Sequence, residues 1–270
     1  MFAALSRLGP DALRQLRQME PDYVGFKRIN EDGYVVHQRT VVPPEPVALV
    51  ALVQLRAADI ADLSCPAGTD LLQVLWCPNQ HRDDDHTGHV VHLRWRATAD
   101  LADLVDPDLV DAAEPPAPAT WEESYLPRAC DLHPEEVTEY PWWEELPPEL
   151  GRRIRDWDDG RGPHEDTYFS TSQAPGWKVG GYAEWDVTDL QEMTCAGCGR
   201  TMDLLLTIDS TESGDGAWQP EQERHLTPSF ADPRWQDVNE PTGISVGRHG
   251  QLRIFICRTC PGTPHRLNLQ

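Results

Sequence analysis

The chain has 270 residues, enough to bury a substantial core, and its seven cysteines, an odd number, do not form the dense even set of a small secreted scaffold. Its 45 acidic against 23 basic side chains, a net charge of −22, disfavour direct DNA or RNA binding, because that binding depends on Lys and Arg displacing phosphate counterions. The longest fully apolar run, Val47 to Val53, is too short to span a bilayer, and no basic start leads into an apolar stretch, so a cytoplasmic protein is expected.

Residues 1–45 form the first segment, helical or irregular. Leu5, Leu8, Leu13, Leu16 and Met19 recur at roughly helical spacing, which predicts one or two short helices around Pro10. From Pro46 the chain turns to Val- and Leu-rich runs broken by Gly and Pro, and 46–98 reads as a first β-rich lobe. Strands are expected at Leu49 to Leu55, Leu72 to Trp76 and His89 to Trp95, with a polar connection at His81-Arg82-Asp83-Asp84-Asp85-His86. Residues 99–120, rich in Ala, Pro and acid, read as a linker. The second β-rich lobe, 121–270, holds a helix from Pro148 to Trp157 with Leu150, Ile154 and Trp157 on one face. Its strands are expected at Leu204 to Ile208, Leu252 to Ile256 and His265 to Leu269, and Ser213 to Thr242 reads as a long loop. With 24 prolines and 19 glycines the regular elements must be short.

The two lobes resemble each other. Leu72-Gln73-Val74-Leu75-Trp76-Cys77 follows Gly68, as Leu252-Arg253-Ile254-Phe255-Ile256-Cys257 follows Gly250, and each passage has a strand candidate before and after it. The expected fold is therefore mainly β (α+β), two similar lobes from internal duplication with a few short helices and long Pro/Gly-rich loops. A rival register matches Cys65 and Asp70 to Cys198 and Asp203.

Two cysteine pairs, Cys195 with Cys198 and Cys257 with Cys260, each enclose two residues. That spacing suits the two knuckles of a tetrahedral Zn²⁺ site, with unliganded thiols and redox chemistry as the other readings. Gly199 permits the tight turn of a knuckle, and four protein sulfurs would close the site, which makes it structural. Cys65, Cys77 and His81 form a weaker echo in the first lobe, read as buried thiols near a strand end. His81, Asp83, Asp85 and His86 carry metal-binding chemistry, the basis of an alternative reading as a metal-dependent hydrolase. Gly243-Ile244-Ser245-Val246-Gly247 matches the string of a nucleophile elbow but lacks its strand–turn–helix context. Ten tryptophans are present, and Trp142, Trp143, Trp177 and Trp185 read as core with one or two ring faces exposed.

At Pro175-Gly176-Trp177-Lys178-Val179-Gly180-Gly181-Tyr182, again from Cys195-Ala196-Gly197-Cys198-Gly199-Arg200 to Leu206, and in the Gly250 to Cys257 strand, the chain resembles the YwqG-like family. That bacterial domain family is itself similar to the C-terminal domain of eukaryotic programmed cell death protein 2. The resemblance runs from about Leu126 to the C-terminus and more loosely from Pro46 to Trp95. It implies a β-rich fold of two similar halves and a protein-binding, non-catalytic role: dedicated chaperones of a ribosomal protein among the eukaryotic relatives, suggested toxin immunity among bacterial ones. Members closest to this pattern often lack the cysteine matching Cys260 and carry a histidine at the Pro264-His265 position, which makes His265 an alternative fourth ligand. Between Ala99 and Glu149 stand fifteen Asp or Glu and one basic residue, Arg128, a field that would attract a basic protein partner.

Overall fold

The structure, a computed structural model, describes residues 3–4, 27–29, 35–37, 49–79, 81–82, 87–101, 123–162, 165–212, 218, 225, 232 and 234–270. In chain order the strands are β1 (Ala3–Ala4), β2 (Lys27–Ile29), β3 (Val35–His37), β4 (Val50–Arg56), β5 (Leu71–Trp76) and β6 (His81–Arg82). They continue with β7 (Thr87–Gly88), β8 (Val91–Arg96), β9 (Lys178–Val179), β10 (Asp203–Asp209), β11 (Gln251–Ile256) and β12 (His265–Leu269). The α-helices among the described residues are α1 (Pro148–Asp158), α2 (Tyr168–Ser172) and α3 (Trp235–Asn239). The protein is mainly β, as its Val- and Leu-rich runs indicate, and no helix among the described residues is long and apolar enough to cross a membrane.

Two antiparallel sheets carry the architecture. One is ordered β4-β5-β8 and the other β12-β11-β10-β9; β1-β3-β2 and β6-β7 form smaller ones. Each principal sheet contains a three-strand meander, β4-β5-β8 and β10-β11-β12, with a register shift in its first strand, between Ala51 and Val53 in one and Leu204 and Leu206 in the other. The two passages matched in sequence, Leu72 to Trp76 and Leu252 to Ile256, are the middle strands of the two meanders. The rival register would set the start of a middle strand against the start of a first strand.

The inner faces of both sheets share one hydrophobic cluster, in which Leu55, Leu72, Val74 and Trp76 join Leu205, Ile208, Leu252 and Ile254. Burying each aliphatic side chain there contributes roughly 1.5–3 kcal/mol. The first sheet is wet on its other face, where the Gln73 amide donates to Gln54 Oε1 at 2.8 Å. Its strands accordingly alternate: in β8, Val91, Leu93 and Trp95 pack inward while His92 and Arg94 are exposed. The second sheet is covered on both faces. Leu252, Ile254 and Ile256 of β11 enter the shared core, whereas Phe255 and the following Cys257 enter a second cluster with Trp142, Trp185, Met193, Cys195 and Met202. This double covering explains why β10 and β11 read as nearly continuous apolar runs. The bulge in β10 turns both Leu205 and Leu206 toward the shared core.

The helix expected from Pro148 to Trp157 is α1; on its apolar face Leu150 is 40% and Trp157 49% exposed with Ile154 half-buried, and its buried residue is Gly151, packed on Trp143. Other expectations need correction or placement. The stretch read as a long loop contains α3, and the first segment contains β1, β2 and β3 rather than only helix or irregular chain. The helices expected around Pro10 and residues 102–120 of the linker lie outside the described residues.

Candidate metal centre and adjoining groove

Cys195 and Cys198 sit in a hairpin closed by the Thr194–Thr201 bridge, in which the Cys195 N–H donates to the Arg200 carbonyl and the Gly199 N–H to the Cys195 carbonyl, both at 2.8 Å. Gly199 takes φ +70°, a left-handed conformation that side chains other than glycine adopt rarely. Cys257 and Cys260 occupy the turn after β11, where the Cys257 N–H donates to the Pro264 carbonyl at 2.9 Å and the Thr263 N–H to the Cys260 carbonyl at 3.2 Å. The hairpin leads into β10 and the turn leaves β11. Because Asp203 pairs with Ile256, both cysteine turns arrive at the same end of the sheet.

All four sulfurs lie within 4.8 Å of one another. Cys195 Sγ is 3.8 Å from Cys260 Sγ, and Cys198 Sγ 3.6 Å from Cys257 Sγ. A sulfur tetrahedron around zinc, with bonds of ~2.3 Å, has edges of about 3.8 Å, so the four residues fit a tetrahedral metal ion. Cys195 and Cys257 are buried, Cys260 half-buried and Cys198 exposed, so the cluster sits at the margin of the second core. The backbone N–H groups of Cys260 and Thr259 aim at the Cys257 sulfur and lower its pKa to about 6. Hydrogen bonding with the Cys198 sulfur, then with those of Cys257 and Cys195, pushes Cys260 up to about 12. Crowded thiols cannot all ionise by themselves; a divalent cation removes that conflict. Arg200 links the two turns by donating to Thr259 Oγ1 at 3.2 Å, and Arg258 ties the second turn to Asp203 Oδ2 and to the Ser64 carbonyl, each at 2.9 Å.

His265 stands in β12, where its imidazole hydrogen-bonds the Val91 backbone and burial lowers its pKa; it is not in the sulfur cluster. Of the first-lobe echo, Cys77 is buried and accepts from the Asn79 amide at 3.8 Å, Cys65 is half-buried beside the shared core, and His81 lies in β6. No metal grouping of these three occurs among the described residues. Asp83, Asp85 and His86 lie outside the described residues. Ser245 lies between α3 and β11, the reverse of an elbow's order, with its Oγ 3.5 Å from His249 Nδ1 and His249 Nε2 3.5 Å from Glu240. Those separations are long for a proton relay.

The Pro175–Tyr182 motif builds a carboxylate-holding loop. Glu139, nearly buried, accepts from Lys178 Nζ and the Ala174 N–H at 2.6 Å and from the Tyr182 N–H at 2.8 Å. A Cβ on Gly181 would fall 2.1 Å from the Glu139 carboxylate, so glycine there is a packing requirement as well as a conformational one. Asp209 accepts from the Gly176 N–H and the Gln251 amide. Burial pushes Glu184 and Asp209 up, and Glu212 up to about 7. Arg253, fully buried on β11, donates to Gln251 Oε1 and Asn268 Oδ1 and lies over the Trp185 ring at 5.3 Å.

Sequence reading did not find the groove of about 670 Å³ whose walls include Trp142 and Trp185 of the second core. Trp142, Trp143, Phe169 and Trp185 supply its aromatic walls; Glu144, Asp158, Asp159, Asp186 and Asp189 supply carboxylates against one guanidinium, Arg155. The available signal was a tryptophan directly followed by acid at Trp143-Glu144, Trp157-Asp158-Asp159 and Trp185-Asp186, three places that the fold gathers at one site. Trp142 and Trp185 also belong to the cluster that holds Cys195 and Cys257, so groove wall and cysteine cluster share a core. Comparisons with protein-family models, with curated proteins and with solved structures gave no match for this chain.

Proposed function

We propose that this chain is a non-enzymatic, cytoplasmic protein-binding domain with a structural Zn²⁺ on Cys195, Cys198, Cys257 and Cys260, of the YwqG-like kind, acting as a chaperone or a toxin-immunity protein on a basic protein partner. The observation that carries this reading is the closed four-sulfur cluster at one end of the second sheet: every tetrahedral position is taken by protein, which leaves a metal no place for substrate. The excess acid of Ala99 to Glu149 supports the choice of a basic partner. The matching three-strand meanders support an origin by internal duplication.

Metal analysis of the purified protein tests the first half. Stoichiometric zinc, lost on chelation together with thermal stability, is expected; a metal-free protein indifferent to chelators would sink it. Affinity capture at low and high salt tests the second half, since steering by the acid segment weakens as the Debye length shortens. Reversing charge at the exposed Glu135 and Glu136 should reduce capture of basic proteins, and unchanged capture contradicts the reading.

A further inference from the structure

We propose that the groove between α1 and the 185–189 loop is the partner-docking site and takes an arginine side chain of a basic protein segment; this rests on the basic-partner reading above. Its volume, about 670 Å³, falls within the roughly 300–1,000 Å³ of ligand sites. Phe169, on its wall, is 44% exposed and Val187 69%, so apolar surface faces solvent at the site.

Charge selects the occupant. Glu144 accepts from the Trp142 indole, Asp158 accepts from the Tyr168 N–H and Asp186 acts on the Arg253 guanidinium through space, but Asp159, Asp186 and Asp189 make no side-chain hydrogen bond and no close ion pair among the described residues. Asp158 and Asp159 also stand at the C-terminal end of α1, where the helix dipole adds negative potential. A cation is therefore favoured, and the exposed Phe169 ring favours guanidinium over ammonium, because a planar guanidinium stacks on a ring while its edge forks onto carboxylates. The protein already uses this pairing in the groove wall, where Arg155 lies 4.6 Å over Trp143, and beside it, where Arg161 lies 4.7 Å over Trp157. Trp185, though it lines the groove, is 95% buried, so the apolar surface offered to an occupant is that of Phe169 and Val187.

The test is calorimetric titration of the purified full chain with three glycine–serine peptides that differ only in carrying arginines, lysines or glutamates. The arginine peptide should bind, the lysine peptide more weakly and the glutamate peptide not at all. The exposed double variant Asp186→Asn/Asp189→Asn should weaken the arginine peptide about tenfold, the loss of two charge-assisted contacts. Equal affinity for arginine and lysine, or unchanged affinity in the variant, overturns the proposal. Should charge reversal at Glu135 and Glu136 abolish capture of basic proteins while the groove variant binds normally, the groove assignment falls and the basic-partner reading stands.

Discussion

Gly151 is the buried residue of α1, and a Cβ there would lie 2.8 Å from the Trp143 carbonyl oxygen, a backbone atom that cannot swing away. Alanine is the better helix former by about 1 kcal/mol, yet Gly151→Ala is expected to destabilise the protein by roughly 1–3 kcal/mol through this overlap. Urea unfolding measures it, and a stabilised variant would refute the packing described. Glu212 presents the opposite situation, an energetic cost held in the wild type. Burial raises its pKa from 4.5 to about 7, against the N–H of Trp177, which lowers it. The folded state therefore keeps a proton that the unfolded state releases, so the contribution of Glu212 to stability is present below pH 4.5 and lost as pH rises to about 7. Stability measured across that window should fall more steeply in the wild type than in Glu212→Gln; parallel curves would show that the carboxyl is not desolvated.

At the scale of elements, β11 is the strand on which both cores depend. Its even-numbered residues build the shared core, and Arg253, on the other face, is held by Gln251, Asn268 and the Trp185 ring. Arg253→Leu would leave half-buried Glu184 with Lys178 but without the guanidinium that stabilises it more, and is expected to cost about 3 kcal/mol. Equilibrium unfolding decides this; a neutral substitution would mean the charges are solvated. The strand also ends in the second cysteine turn. Cys257→Ser should abolish stoichiometric zinc and lower stability by on the order of 3 kcal/mol or more, whereas Cys65→Ser should retain the metal. Equal zinc contents in the two variants would remove Cys257 from the ligand set.

Over the whole molecule, a charge of −22 repels itself, and compaction brings the carboxylates together. Raising ionic strength from very low to physiological values should raise the thermal unfolding midpoint, and a midpoint that falls with salt would contradict this. The same charge is distributed unevenly in space. Acid that is merely abundant along the chain becomes, at Asp159, Asp186 and Asp189, one wall of an aromatic groove.

Alternation along β8, the apolar runs of β10 and β11 and the spacing of the two cysteine pairs were legible without coordinates, because each is a local pattern with a short-range cause. Strand periodicity follows from the pleat, and a two-residue gap between cysteines follows from the geometry of a knuckle. The helix was legible too, but not its environment: Leu150, Ile154 and Trp157 share a face, while what lies opposite that face depends on a turn elsewhere in the chain. The choice of Cys260 over His265 was likewise beyond the sequence. Both follow Cys257 closely, yet Cys260 lies in the turn that meets the first hairpin, and strand pairing directs His265 to the Val91 backbone. The groove belongs wholly to tertiary structure, since its walls come from four separated segments and only packing around the second core brings Trp142 to Trp185. Sequence by itself determined the β-rich class, the strands of the two meanders and three of the four sulfurs; tertiary structure decided the fourth, which faces are covered and where charge meets aromatic surface, because those depend on long-range contacts that local pattern does not encode.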